Sequence, residues 1–404
     1  MAARSTLFED SMPVTIEVSR TQSPKPRPPA GDLGFGRFFS DHMFLAEHEG
    51  KGWSHARVVP HGPLSVDPSA GGLQYGQAMF EGMKAVAGEK APLLFRPELH
   101  AARLNASARR LCMPELPEGF LLAALRALVK EDAAWVPTER GASLYLRPTM
   151  FGSEAYLGVR PSRRYTFFVI ASPVGNYFGP TPQMLKLWVE SEFVRAARGG
   201  IGAAKAGANY VAGMLAAERA KARGFHQVLW LDQTHKNVEE AGTMNAFFRF
   251  GDTVVTPPLE DSLLAGVTRD SVLSLLRRWK VRVEERTVPI AEVAEQHAKG
   301  QLQEAFGSGT AATVSPIAEL QWGEKKIVIG QAPGELSARL QTALLDLFSS
   351  RRPDADGWLV PECRPSPRWW WEAARRGCSP RSPSPGPTTV RWYCSTGPGP
   401  LPAE

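Results

Sequence analysis

The chain has 404 residues, of which 43% are hydrophobic and 22% are charged, a composition typical of globular proteins rather than disordered chains. Its length exceeds that of most single domains, so two domains are expected. The net charge of +6 is concentrated toward the ends of the chain, since residues 362–404 hold six arginines against three glutamates. The remaining body is nearly balanced, which argues against a nucleic-acid partner.

The two ends of the chain differ in composition from the body. Glu9 and Asp10, and the lack of an apolar signal region, predict a cytoplasmic protein. No apolar run is long enough to span a bilayer, so no membrane partner is expected. Residues 1–30 end in a proline-rich stretch that predicts a flexible arm. Residues 362–404 predict a disordered tail, with an interaction motif around Trp369–Trp371 as the alternative.

Between these ends, periodic apolar patterns and turn residues predict an α+β chain with two domains. The first covers residues 31–174, with strands at 143–147 and 165–171 and helices from Pro97 to 111 and at 119–132. Residues 175–182 are rich in glycine and proline and are predicted to form the interdomain loop. The second domain covers residues 183–361. It is predicted to contain strands at 185–190, 227–231 and 281–288 and helices at 210–223, 261–280, 290–300 and 334–348. In the helix at 210–223, Met214 and Leu215 are expected on the apolar face, and Gly224 is its expected C-cap.

The stretch from 195 to 245 carries the most informative chemistry. Lys205 stands among small residues with no acidic neighbour, a setting in which burial can lower the pKa of a lysine and make it a nucleophile. The strand that follows the turn after Leu231 carries Glu239 and Glu240. A buried lysine and a strand carboxylate are what a pyridoxal phosphate enzyme needs. For a lone lysine, a surface position in a glycine-rich loop is the more common alternative.

Three segments carry a family resemblance: Gly-Ala-Ala-Lys-Ala-Gly-Ala-Asn-Tyr (202–210), Gln-Val-Leu-Trp-Leu (227–231) and Glu-Ala-Gly-Thr-Met-Asn (240–245). They resemble the signature of branched-chain amino-acid aminotransferases, which are pyridoxal 5'-phosphate enzymes of fold type IV. The likeness extends through much of residues 31–361. It implies a smaller N-terminal α/β domain, a larger pseudo-barrel domain with the cofactor in the cleft, and at least a homodimer in which one subunit completes the other's pocket. It also implies ping-pong transfer of the amino group of L-leucine, L-isoleucine or L-valine to 2-oxoglutarate.

The resemblance assigns roles to the chemistry-bearing residues. Lys205 is the Schiff-base lysine and the base that moves the proton, Glu240 holds the ring nitrogen, and Tyr210 bonds the ring hydroxyl. Neighbouring strand side chains point to opposite faces, so Glu239 is expected to be a solvated carboxylate. Arg195 also matches an active-site position of the family.

The phosphate and substrate contacts are assigned in the same way. The expected phosphate contacts are Arg103, Val267, Thr268 and Thr310. The glycine-rich loop at 307–310 and the loop-to-helix junction at 266–268 suit an anion, although either could be a plain turn. The expected apolar pocket is formed by Phe35, Tyr75, Phe80, Tyr145 and Tyr177. Arg147 would meet the distal carboxylate of glutamate, for which its planar guanidinium is suited, and the amides of Thr310 and Ala311 would hold the α-carboxylate.

Two other classes of function stay open at this stage. A D-amino-acid aminotransferase or an aminodeoxychorismate lyase would share the lysine and the glutamate, and a non-catalytic scaffold could use the tryptophan-rich tail. Mammalian members of the family carry a Cys-x-x-Cys pair where this chain has Ala312-Thr-Val-Ser315, which excludes a thiol switch there. Cys112 is expected to be a core thiol, and no metal site is predicted.

Overall fold

The computed structural model describes residues 15–29, 31–175 and 184–361, and the backbone of residues 388–391. Its strands are β1 (Thr15–Val18), β2 (His42–His48), β3 (Trp53–Pro60), β4 (Ala78–Phe80), β5 (Met83–Val86), β6 (Leu93–Phe95), β7 (Ser143–Gly152), β8 (Tyr165–Val174), β9 (Leu185–Val189), β10 (Gln227–Leu231), β11 (Val238–Ala241), β12 (Met244–Phe250), β13 (Thr253–Thr256), β14 (Arg282–Glu285), β15 (Leu302–Gly309), β16 (Thr313–Trp322), β17 (Lys325–Val328), β18 (Leu359–Pro361) and β19 (Thr388–Arg391). The helices are α1 (Gly71–Gln74), α2 (Pro97–Arg110), α3 (Phe120–Glu131), α4 (Gly207–Ala212), α5 (Met214–Ala222), α6 (Val267–Arg278), α7 (Ile290–Ala298) and α8 (Glu335–Phe348), with a 3-10 turn at Ala133–Trp135.

The first sheet is built mainly from the N-terminal half of the chain. Its strand order is β18-β6-β5-β7-β8-β2-β3-β1-β19, with β4 added beside β7. Neighbouring strands are antiparallel except β1 and β3, which are parallel. Helix α3 covers one face, where Phe120 packs edge-on against Phe44 and Phe167. This aromatic cluster belongs to the core of the first domain.

The second sheet closes on itself. Strands β9, β16, β15, β12, β11 and β10 are paired in a ring, since β10 pairs with both β11 and β9. Its interior is filled by side chains such as Leu187, Leu229, Phe248 and Ile317. The predicted pseudo-barrel is thus confirmed.

A third apolar cluster joins the two sheets. Val86 and Phe95 of the first sheet pack with Phe247 and Phe306 of the second and with Leu340 of α8. The cleft between the sheets is therefore bounded by a shared core, which fixes the distance between residues contributed by either side.

Most predicted elements are confirmed within a few residues, but the ends differ. Residues 15–18 form β1, which lies beside β3, and Arg20 pairs with Glu131 of α3 at 2.7 Å. Within the arm predicted for residues 1–30, residues 15–18 are therefore held by backbone pairing with a distant strand. Residues 388–391 likewise form a strand beside β1, within the tail predicted to be disordered. Residues 1–14 and 362–387, and the predicted interdomain loop apart from Gly175, lie outside the described residues.

Two predictions of burial are wrong. Cys112 is exposed, because it follows α2 in a left-handed turn with φ of 52° that carries its side chain off the helix face. The predicted helix at 210–223 is interrupted at Gly213, and Met214 and Leu215 are 57% and 54% exposed. Gly224, expected to cap this helix, follows the C-cap residue Arg223 and adopts the left-handed conformation with φ of 84°. No helix in the described ranges is long and apolar enough to cross a membrane.

Candidate active site

A cavity of about 280 Å³ opens between the two sheets. It is lined by residues from the first sheet, the barrel, the start of α6 and the β15–β16 turn: Phe35, Phe80, Gly82, Arg103, Tyr145, Arg147, Lys205, Tyr210, Gln227, Glu240, Thr243, Met244, Asn245, Leu264, Gly266, Val267, Thr268, Ser308, Gly309, Thr310, Ala311 and Ala312. Residues from distant parts of the sequence thus meet around one volume of small-molecule size.

Lys205 lies in the wall of this cavity. Its backbone N–H donates to the Ser107 hydroxyl at 3.0 Å, and its carbonyl accepts from the N–H of Phe80 at 3.0 Å, so two residues of the first domain hold the backbone of this second-domain lysine. The side-chain Nζ donates to the Tyr210 hydroxyl at 3.0 Å. Burial, reinforced by the positive charge of Arg103, lowers the pKa of Lys205 to about 8. The lowered pKa raises the neutral fraction of the amine near neutral pH, as a nucleophilic lysine requires.

Glu240 faces the same cavity from β11. It is buried, and it accepts a hydrogen bond from the Leu264 N–H at 3.1 Å. Its other oxygen forms an ion pair with Arg195, at 3.3 Å from Nε, and Nη2 of Arg195 donates to the carbonyl of Ser262. Burial and the negative charge of Glu240 raise the pKa of Tyr210 to about 12, so this hydroxyl keeps its proton.

Glu239 points away from Glu240, as strand alternation predicts, but it is not solvated. Its side chain is buried and borders a separate cavity of about 200 Å³. Burial raises the pKa of Glu239 to about 7. The prediction of a solvated carboxylate is wrong because both faces of β11 are covered.

The N-terminus of α6 is directed at the cavity. Gly266 is the N-cap residue, and Val267 and Thr268 form the first turn, which leaves backbone N–H groups without partners inside the helix. A Cβ atom at Gly266 would lie 2.1 Å from Oδ1 of Asn245, so only glycine fits there. Ser308 to Thr310 border the same cavity, and Oγ of Ser308 is buried without a hydrogen-bond partner among the described residues. This corner can bind an anion such as a phosphate group.

Arg103 reaches the cavity from α2 and is neutralised by Glu81. Its Nε and Nη2 donate to the two Glu81 oxygens at 2.6 and 2.8 Å, and its Nη1 donates to the Ala265 carbonyl at 2.8 Å. His100 lies 2.8 Å from the same carboxylate. Burial alone would raise the pKa of Glu81, but Arg103 and His100 hold it far below its usual range. The guanidinium is therefore fixed in place before any ligand binds.

Aromatic rings and one arginine form the other end of the cavity. The Arg147 guanidinium lies 4.5 Å from the centre of the Phe80 ring, and its Nη2 donates to the Tyr145 hydroxyl at 3.2 Å. Phe35 contacts Tyr145 edge-on at 5.0 Å. A Cβ atom at Gly82 would lie 1.9 Å from the same hydroxyl, so the glycine makes room for Tyr145. An apolar pocket with a cation at its edge results.

Two predicted site residues lie elsewhere, and one is not among the described residues. Tyr75 is 49% exposed and bonds the Leu157 carbonyl, away from the cavity of its own chain. Arg195 lines an adjacent cavity that shares Lys205, Tyr210 and Glu240 with the first. Tyr177 lies outside the described residues.

The sequence reasoning missed several residues that line the cavity: Gly82, Gln227, Thr243, Met244, Asn245, Leu264, Gly266, Ser308, Gly309 and Ala312. Residues 243–245 belong to a quoted motif, and Gly266, Ser308 and Gly309 lie in loops already marked as anion-binding candidates. Gln227 begins the resemblance segment 227–231, whereas Leu264 gave no local signal, because only the fold brings the loop before α6 to the site.

Comparison with known proteins places the chain in a family. The family described as "Amino-transferase class IV" matches residues 78–320. The chain is 44% identical over 350 residues to branched-chain-amino-acid aminotransferase 2 of Bacillus subtilis (strain 168), covering 86% of this chain and 96% of that protein. It is 44% identical over 337 residues to the branched-chain-amino-acid aminotransferase of Mycobacterium tuberculosis (strain CDC 1551 / Oshkosh), covering 81% and 91%.

Comparison with solved structures gives the same family. The branched-chain amino acid aminotransferase of Escherichia coli superposes with a TM-score of 0.65 at 26% identity, covering 80% of this chain and 99% of that one. The branched-chain amino acid aminotransferase of Thermobaculum terrenum, solved in its PLP-form, gives a TM-score of 0.66 at 25% identity, covering 80% and 99%. The chain belongs to the class IV aminotransferases, in the branched-chain amino-acid aminotransferase family.

Proposed function

We propose that the protein transfers the amino group of L-leucine, L-isoleucine or L-valine to 2-oxoglutarate by ping-pong chemistry through Lys205. The observation that supports this most directly is the pairing of Lys205 and Glu240 in one cavity. The lysine has a lowered pKa, and the carboxylate is buried in the wall of the same cavity.

The residues present fit pyridoxal 5'-phosphate, the cofactor present in the PLP-form of the Thermobaculum terrenum relative. The first turn of α6, Arg103 and Thr310 would hold the phosphate group, and the orphaned Ser308 hydroxyl is available beside them. Glu240 would hold the ring nitrogen, and Tyr210 the ring hydroxyl. When bound, the cofactor supplies an electron sink that makes the Cα–H bond of an amino acid acidic.

The protein side chains supply the proton transfer and its control. Lys205 would move the proton between the substrate Cα and C4′ of the cofactor, because its pKa of about 8 lets it accept and donate a proton near neutral pH. Tyr210 keeps its own proton and orients Nζ through the 3.0 Å contact. Glu240 is the carboxylate that would hold the protonated ring nitrogen of the cofactor. Arg195 lies against it and gives it a second, positively charged neighbour.

Two unlike side chains must fit one pocket in the two half-reactions. Phe35, Phe80 and Tyr145 offer an apolar surface to a branched aliphatic chain. Arg147, whose guanidinium lies 4.5 Å from the centre of the Phe80 ring, offers this cation to the distal carboxylate of glutamate. Thr310 and Ala311 border the cavity where the shared α-carboxylate would bind.

We further propose a homodimer. Leu73, Tyr75, Leu157 and Val159 are 62%, 49%, 60% and 87% exposed on neighbouring loops, and a second copy would cover them. Tyr75 would then reach the partner's pocket rather than its own. Light scattering with a Leu157→Asp variant tests this, and a monomeric wild-type protein would refute it.

The cytoplasmic location remains a sequence-based prediction, which cell fractionation tests.

The function is tested by absorbance spectroscopy of the protein loaded with cofactor. The visible band of the lysine-bound cofactor should fall when L-leucine is added and return with 2-oxoglutarate. Lys205→Ala should abolish this cycle, whereas Lys221→Ala, a change of an exposed lysine on α5, should leave it intact. A band that responds to D-alanine but to no branched-chain L-amino acid would contradict the proposed substrate. Folded protein that forms no band would contradict the enzyme assignment.

A further inference from the structure

Lys84 is a buried cation that the proposed chemistry does not use. It is 4% exposed in β5, and its Nζ lies 5.1 Å from the centre of the Phe348 ring. Nζ donates to the Thr313 hydroxyl at 3.1 Å, so its hydrogen bond among the described residues is to a hydroxyl and not to a carboxylate. Burying a lysine in this way is costly, and such groups are retained for a reason that packing does not supply.

The position of Lys84 relates it to the active site. Lys84 is the cross-strand partner of Tyr145 in the β5–β7 pairing, so the two side chains lie on the same face of the first sheet. Tyr145 lines the cavity. Lys84 extends from this face across the cleft to a residue 229 positions further along the chain.

The residue it contacts has an unusual backbone. Gly309 and Thr313 are paired at the end of the β15–β16 hairpin, so Thr310, Ala311 and Ala312 form its turn. Thr313 has φ of 60°, in the left-handed region that β-branched residues rarely adopt. Such a conformation persists only where surrounding contacts hold it. The hydrogen bond from Lys84 is one such contact, and Gln341 of α8 donates to the next carbonyl, that of Val314, at 3.1 Å.

We propose that Lys84 is a positioning residue for substrate binding: by holding Thr313 from the opposite domain, it fixes the β15–β16 turn that presents Thr310 and Ala311 to the substrate carboxylate. The inference rests on the proposed function, because it assigns that carboxylate to the turn. Burial lowers the pKa of Lys84 to about 8, which leaves the ammonium largely charged near neutral pH and the hydrogen bond charge-assisted.

Three variants of the cofactor-loaded protein test the proposal. Lys84→Met removes the charge and keeps the stem, and Thr313→Val removes only the hydroxyl. Each should raise the Kd of 4-methylvalerate, an unreactive carboxylate shaped like leucine, by about tenfold, and the KM for leucine similarly. The affinity for pyridoxal 5'-phosphate should stay within about twofold, because the turn and not the phosphate corner is disturbed. Lys90→Met, at an exposed position, is the matched control.

The double variant Lys84→Met with Thr313→Gly separates positioning from charge. Glycine adopts the left-handed region without strain, so this variant should recover most of the affinity that Lys84→Met loses. Wild-type Kd in Lys84→Met, or no recovery in the double variant, would overturn the inference. Wild-type protein that binds the analogue but transaminates no branched-chain amino acid would refute the proposed function, and the Kd values would still decide the role of Lys84. Wild-type protein that does not bind the analogue would refute both.

Discussion

Glu239 makes the stability of the protein depend on pH, and Glu239→Gln should remove that dependence. The carboxyl group is buried on the face of β11 opposite Glu240. Burial raises its pKa from the usual 4.5 to about 7. The unfolded chain releases this proton near its usual value, whereas the folded protein keeps it until about 7. The folded state is therefore favoured below pH 4.5, and that contribution is lost as the pH rises toward 7 and slightly beyond.

The size of the effect follows from the two pKa values. Their separation, from 4.5 to about 7, corresponds to about 3 kcal/mol at roughly 1.4 kcal/mol per pH unit. The free energy of unfolding of the wild-type protein should thus fall by about this amount, relative to Glu239→Gln, between pH 4.5 and pH 8. A neutral amide has no such titration.

Urea unfolding followed by tryptophan fluorescence measures the difference. Cofactor-free protein should be used at each pH, so that ligand binding does not contribute. Glu218→Gln, a change of an exposed glutamate on α5, is the control and should parallel the wild-type curve. Parallel curves for wild-type protein and Glu239→Gln would refute the reasoning, since a solvated carboxylate would behave in that way.

Three further variants probe the site. Glu81→Gln leaves the Arg103 guanidinium without its carboxylate and should cost about 3–5 kcal/mol of stability in cofactor-free protein, measured by urea unfolding; an unchanged midpoint would contradict the ion-pair account. Gly266→Ala would place a Cβ atom 2.1 Å from Oδ1 of Asn245, so it should weaken cofactor binding at least tenfold, as measured by absorbance titration. Gly207→Ala is the control, because a Cβ atom there meets nothing within 4 Å, and this variant should bind the cofactor normally. Glu240→Gln should retain the cofactor but lower kcat by about 100-fold or more, and full activity would remove Glu240 from its assigned role.

The elements that the sequence predicted well are those whose signals are local. The run Gln227–Leu231 is apolar, short and bounded by turns, and it matches β10 at both ends. Helix α8 begins one residue after the predicted start because Gly334 and the apolar period mark it. The Lys205 and Glu240 motifs were recognisable for the same reason: their residues are contiguous.

What a periodic pattern does not reveal is whether another element covers the face it defines. Met214 and Leu215 share the expected face with the alanines, yet Ala216 and Ala220 are buried and these two side chains are exposed. The same limit explains the wrong prediction for Glu239. Strand alternation placed its side chain on the face opposite Glu240, but it did not show that this face of β11 is covered as well. Residues 15–18 form a strand because they pair with β3, about 40 positions further along the chain, and no local pattern encodes such a partner.

The return of β18 to the first sheet has a consequence for synthesis of the protein. Leu359–Pro361 pair with β6, which otherwise has a free edge on that side of the first sheet, so this sheet is incomplete until the ribosome has passed residue 361. Until then the backbone N–H and C=O groups on that edge of β6 are unpaired and can form hydrogen bonds with a strand of another chain. A chain truncated before residue 359 would keep this edge unpaired and would be prone to aggregate through it.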